Sequence, residues 1–79
     1  MNKAILLSAL DSLEQADAVD IAEILQRDYP STAMGLLRLV RQDLASRYLD
    51  PDTQLYVYEI TLKGEARLDF FEEGELDVD

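Results

Sequence analysis

Between Lys3 and Leu13 the apolar residues Ile5, Leu6, Ala9, Leu10 and Leu13 recur at the spacing of one helix face, which predicts a first helix over that span. The connection "EQAD" follows, with Asp17 placed as an N-cap and Asp20 as its box-like partner three residues on. A second amphipathic helix is predicted over Val19–Arg27, apolar at Val19, Ile21, Ala22, Ile24 and Leu25. Pro30 reads as its stop, because proline disfavours helical backbone at the preceding Tyr29. Ser31 or Thr32 then caps a third helix over about residues 31–43. Its inner face is expected to carry Ala33, Leu36, Leu37, Val40 and Leu44, and its outer face Met34, Gly35, Arg38, Arg41 and Gln42.

The pattern changes after Leu44. "ASRYLD" and "LYVYEIT" read as two strands joined by a turn at "PDTQ", where Asp50 accepts a local hydrogen bond and Pro51 presets the backbone. In the second strand Tyr56, Tyr58 and Ile60 share one face and Leu55, Val57 and Glu59 the other, and alternation alone leaves open which face is buried. Thr61 is a natural N-cap for a last helix, "LKGEARLDFF", with Leu62, Ala66, Leu68, Phe70 and Phe71 as its apolar positions. The organisation is therefore α+β, one domain over residues 1–71 followed by an acidic, frayed tail over residues 72–79.

Composition narrows the chemistry more than it identifies it. Across the 79 residues there is no cysteine and no histidine, which removes the usual zinc ligands, the usual general base near neutral pH and the common nucleophile–base pairs. Carboxylate pairs such as Asp20/Glu23 lie on polar faces with nothing to raise a pKa, so no enzyme activity, catalytic residue or cofactor is expected. "DPDTQLYVYEIT" begins like a calcium loop but lacks glycine at its sixth position and ends on Thr61 where a bidentate glutamate belongs; it is read as a turn, with no metal site. The start "MNKAILLSAL" imitates a secretory signal, yet Asp11 and Glu14 interrupt it, and no other stretch approaches a membrane span, so the cytoplasm is the expected location. The formal net charge of −10 is unevenly distributed. Residues 1–48 hold five basic and seven acidic residues (−2), and residues 49–79 hold two and ten (−8). Three of the five arginines, Arg38, Arg41 and Arg47, fall in or just after the third helix.

Helix, helix, turn, helix, hairpin, helix in so short a chain resembles the winged helix-turn-helix domain: three helices, a two-stranded hairpin wing and a C-terminal helix. "VDIAEIL" is similar to that fold's second helix and "STAMGLLRLV" to its recognition helix. "SRYLDPDTQLYVYEITLKGEARL" resembles the wing and following helix of MarR-like and PadR-like regulators, with their Leu-Thr-x-x-Gly signature standing as Ile60-Thr61-Leu62-Lys63-Gly64. Two glycines of the pattern are replaced: the helix-turn-helix corner is "QRDYP", and the end of the recognition helix falls near Asp43. The resemblance implies a homodimeric DNA-binding transcription regulator whose third helix enters the major groove. Carried over by position, the DNA contacts are Ser31, Thr32, Met34, Arg38, Arg41 and Gln42, with Arg47, and after it Thr53 or Gln54, in the wing. The acidic surface supports an alternative, a winged-helix protein–protein interaction module that binds a basic protein partner or occupies a nucleic-acid site as a DNA mimic.

Overall fold

A computed structural model describes residues 2–74, and the side chains of residues 2–70. In chain order the elements are α1 (Lys3–Leu13), β1 (Ala16–Asp17), α2 (Ala18–Leu25), α3 (Tyr29–Arg41), β2 (Ala45–Leu49), β3 (Tyr56–Ile60) and α4 (Leu62–Gly74). Of the expected tail over residues 72–79, the backbone of residues 72–74 continues α4, and the remainder, like the side chain of Phe71, lies outside the described residues. The strands form one antiparallel sheet in the order β1-β3-β2. The architecture is the expected α+β winged helix-turn-helix, except that the hairpin is joined by a third strand. β1 is two residues long, too short for any periodicity to announce it, and is defined by pairing Ala16 with Tyr58 and Asp17 with Val57 on the free edge of β3.

α1 has the predicted span, begun by Asn2, whose side chain accepts from the Ala4 amide at 2.6 Å. Its phase is turned from the expected one: Leu6, Leu7 and Leu10 are buried, while Ile5 and Leu13 are exposed. α2 is capped by Asp17, whose carboxylate accepts from the Asp20 amide at 2.9 Å, and it ends two residues early at Gln26 in the left-handed region (φ 55°). It turns Ala18, Ile21 and Ala22 inward and leaves Val19 and Ile24 exposed.

The start of α3 corrects the sequence reading. Pro30 does not separate the helices; it lies in the first turn of α3, where its missing N–H leaves no hydrogen bond unmade. The cap is Asp28, accepting from the Ser31 amide at 2.9 Å, and not Ser31 or Thr32. That hydrogen bond, helped by the nearby Arg27 charge, holds the Asp28 carboxyl below the usual aspartate value. Thr32, Leu36 and Leu39 are the buried residues of α3. Gly35 also faces inward: a Cβ there would stand 2.7 Å from Leu6 Cδ1.

The core is one cluster: Leu6, Leu7 and Leu10 of α1, then Ala16, Ala18, Ile21, Leu36, Leu39, Leu44, Ala45, Tyr58 and Leu68. Register settles the inner face of the hairpin. Ala45 pairs with Ile60, Arg47 with Tyr58 and Leu49 with Tyr56, so these six share a face. That face is buried at Ala45 and Tyr58, partly buried at Ile60, and exposed at Leu49 and Tyr56, where the hairpin runs past the edge of the core.

The junction of β3 and α4 explains "ITLKG". Thr61 caps α4, its hydroxyl accepting from the Gly64 amide at 3.0 Å and donating to the Asp43 carbonyl at 2.7 Å. The Thr61 amide donates to the Leu44 carbonyl at 3.1 Å. That same carbonyl oxygen lies 2.1 Å from where a Gly64 Cβ would be, so only glycine lets the helix pass.

Candidate nucleic-acid interface

Two turns and one helix present the candidate surface. α3 enters after a short corner and leaves through Gln42 and Asp43, the latter in the left-handed region (φ 63°). Gln26 and Asp43 thus adopt the backbone that glycine supplies in the family pattern. Between them, Ser31, Met34, Arg38, Arg41 and Gln42 are exposed. Their spacing of three, four, three and one places them on one face of α3, and Ser31 to Arg41 extends for about 15 Å along the axis. Among the described residues neither Arg38 nor Arg41 is engaged by a carboxylate. Their place in the last turn also sets their charge against the helix C-terminus, which alone gives them a stabilising role.

Thr32 does not belong to this face. It is fully buried, and its hydroxyl donates to the Asp28 carbonyl at 2.9 Å. The apolar methyl and this intrahelical bond explain why a hydroxyl residue suits the inner side of the first turn. Gly35, likewise expected outside, is packed against Leu6.

The other side chains of the corner extend the face toward the start of α3. Arg27 and Tyr29 are exposed there, and neither was anticipated as part of the surface. The sequence signal for Arg27 is its place in the corner "QRDYP" between two helices.

Arg47 is exposed on β2, and its guanidinium lies over the Tyr56 ring at 3.9 Å from the centroid. The wing tip is acidic and internally bonded. The Asp50 carboxylate accepts from the Asp52 amide, the Gln54 side-chain amide donates to the Pro51 carbonyl, and the Thr53 hydroxyl accepts from the Leu55 amide. Thr53 and Gln54 are therefore spent in part on closing the turn.

Elsewhere, a groove of about 610 Å³ runs between the end of α1, the end of β3 and the start of α4. Asp11, Glu14, Glu59 and Glu65 line it with no lysine or arginine. Among the described residues no group of acidic side chains is arranged to hold a metal ion, and no helix is long and apolar enough to cross a membrane.

Solved structures share this fold. The apo form of MarR from E. coli superposes with a TM-score of 0.83 at 18% identity, over 90% of this chain and 53% of that one. A MarR mutant from E. coli complexed with operator DNA gives 0.82 at 18% identity, over 90% and 51%. A MepR mutant from S. aureus gives 0.81 at 27% identity, over 90% and 54%. The chain spans about half the length of these proteins. No family model and no curated protein matches the sequence. The fold is thus the winged helix of MarR-type regulators, with the expected wing and last helix in place.

Proposed function

We propose that this chain is the DNA-reading unit of a transcription regulator, acting as a homodimer in the cytoplasm. α3 enters the major groove, with Arg38 and Arg41 on guanine edges or phosphates, Gln42 on adenine, Ser31 on phosphate and Met34 on apolar groove surface. Arg47 supplies the wing contact. The observation that carries the reading is the exposed α3 face with two arginines that no carboxylate engages among the described residues, in a fold shared with a MarR mutant solved in complex with operator DNA.

The test is fluorescence anisotropy or a gel shift with duplex DNA over a range of salt. Three arginine contacts per copy, six in the dimer, give a slope of about −5 in log affinity against log salt. Arg38→Ala with Arg41→Ala removes four contacts from the dimer, weakens binding by at least about tenfold and takes between about three and four from that slope. Absence of binding at every ionic strength overturns the proposal.

One observation favours a second reading, a module that binds a basic protein: the groove lined by Asp11, Glu14, Glu59 and Glu65 without any cation. Its test is co-purification from the native cell, where Glu59→Lys and Glu65→Lys should release a basic partner. Recovery of no partner sinks it.

A further inference from the structure

The wing of this protein has a single cation, and the fold spends an aromatic residue on holding it. Arg47 pairs across the hairpin with Tyr58 and shares its face with Tyr56, the diagonal neighbour one step nearer the tip. From a position directly opposite the buried Tyr58, the Arg47 side chain reaches toward the tip, and its guanidinium carbon lies over the Tyr56 ring, 3.9 Å from the centroid. The ring holds the guanidinium without taking its charge, and no carboxylate pairs with it among the described residues.

The tip offers the opposite charge. Asp50 and Asp52 are its only ionisable groups; Asp52 is exposed, and the side chains of Thr53 and Gln54 make bonds that close the turn. Two carboxylates brought against the phosphates of a minor groove are repelled, and nothing at the tip offsets them.

Resting on the DNA-binding reading above, we infer that the wing contacts DNA by its flank and not by its tip. Tyr56 is the positioning residue that aims Arg47 at a phosphate, and Asp50 and Asp52 keep the tip away from the duplex. The wing thereby adds one charge-assisted contact in a fixed place and no minor-groove readout.

The experiment is fluorescence anisotropy of the full chain with a labelled duplex of random sequence, titrated at several salt concentrations. Arg47→Ala, which removes one contact from each copy of the dimer, should weaken binding and reduce the salt slope by about two. Tyr56→Ala should weaken binding about two- to fivefold, the range of an exposed cation–π contact, and Tyr56→Phe should restore it. The double variant Arg47→Ala/Tyr56→Ala should bind no worse than Arg47→Ala alone, because the ring acts only through the guanidinium. Asp50→Asn/Asp52→Asn should tighten binding, most at low salt. Full additivity of the two alanine changes, a Tyr56→Phe as weak as Tyr56→Ala, or an aspartate double variant that binds no tighter each overturns the inference. Arg38→Ala/Arg41→Ala separates the two levels: if it loses binding while the wing variants behave as wild type, the α3 reading stands and the flank contact falls. If the wild-type chain does not bind at all, both fall.

Discussion

Gly64 and Gly35 show how differently two helical glycines answer to an added methyl group. At Gly64 the obstacle is backbone, the Leu44 carbonyl oxygen at 2.1 Å, with Ile60 Cγ1 at 2.7 Å behind it. The carbonyl is already held by the Thr61 amide, so it cannot withdraw without breaking the junction of β3 and α4. Gly64→Ala is therefore expected to destabilise by about 2 kcal/mol or more despite alanine's better helix propensity. At Gly35 the obstacle is the flexible end of Leu6, and a gain of about 1 kcal/mol in propensity works against the crowding. Urea denaturation of Gly35→Ala should show a change of less than about 1 kcal/mol. The left-handed residues give a further residue-scale expectation. A side chain in that region costs about 1–2 kcal/mol, and glycine returns about half of it as chain entropy. Gln26→Gly should raise stability by about 0.5–1 kcal/mol, and Asp43→Gly by less, because aspartate tolerates that backbone. Thermal melts of the two variants check the order. The sequence pattern pointed to both places, since each stood where a glycine was missing, but it could not show that the backbone geometry survives the substitution.

At the scale of elements, the helices and hairpin were legible because their apolar spacing is long enough to define a period. The boundaries and phases were not. Leu7 and Leu39 are core residues that the predicted faces left out, since "ILLSAL" and "LLRLV" fit two adjacent helix phases and only packing against the neighbouring helices chooses between them. Pro30 is ambiguous for the same kind of reason: before a helix it stops the previous one, and inside a first turn it starts the next. Asp28 decides in favour of the start, and its role is open to a pH test. Its folded pKa is lowered, so its contribution is present above the ordinary aspartate value and disappears as pH falls through the lower, folded one. Asp28→Ala should lower the melting temperature at neutral pH, and the gap from wild type should close as pH drops below the ordinary aspartate range. Asp28→Asn, which caps without titrating, should keep more of the neutral-pH stability. A gap that stays constant to low pH would show that the carboxylate is not what caps α3. The same boundary shift corrected the candidate surface. Once the helix starts at Tyr29, Thr32 turns into the core, while Ser31, Met34, Arg38, Arg41 and Gln42 remain on the exposed side.

For the whole molecule, the question raised by the proposed function is how a chain of net charge −10 would present a surface to DNA. The answer lies in segregation: Arg27, Arg38, Arg41 and Arg47 belong to the corner, α3 and β2, while the carboxylate-lined groove belongs to α1, β3 and α4. The register sets Glu59, paired with Ser46, on the opposite face of the hairpin from Arg47, so the two regions meet only across the sheet. In the proposed homodimer, pairing two copies would double the cationic face, and the exposed side of α4 is the candidate interface. Leu62, Ala66 and Phe70 recur at four-residue spacing along its exposed side, with Leu62 83% and Phe70 66% accessible, and α1, packed beside it, exposes Ile5. In a twofold interface every such residue counts twice, so Leu62→Glu removes the burial of two leucines and adds two charges. At about 1.5–3 kcal/mol for each leucine, dimerisation should weaken by about a hundredfold or more. Sedimentation equilibrium reads that directly, and the DNA titration reads it independently. A dimer with three arginine contacts per copy has a salt slope near −5, and a monomer about half of that. Leu62→Glu should therefore convert the steeper slope into the shallower one while Arg38 and Arg41 stay untouched. A wild-type chain that sediments as a monomer would overturn the homodimer, and a Leu62→Glu chain that remains dimeric would move the interface off this stripe.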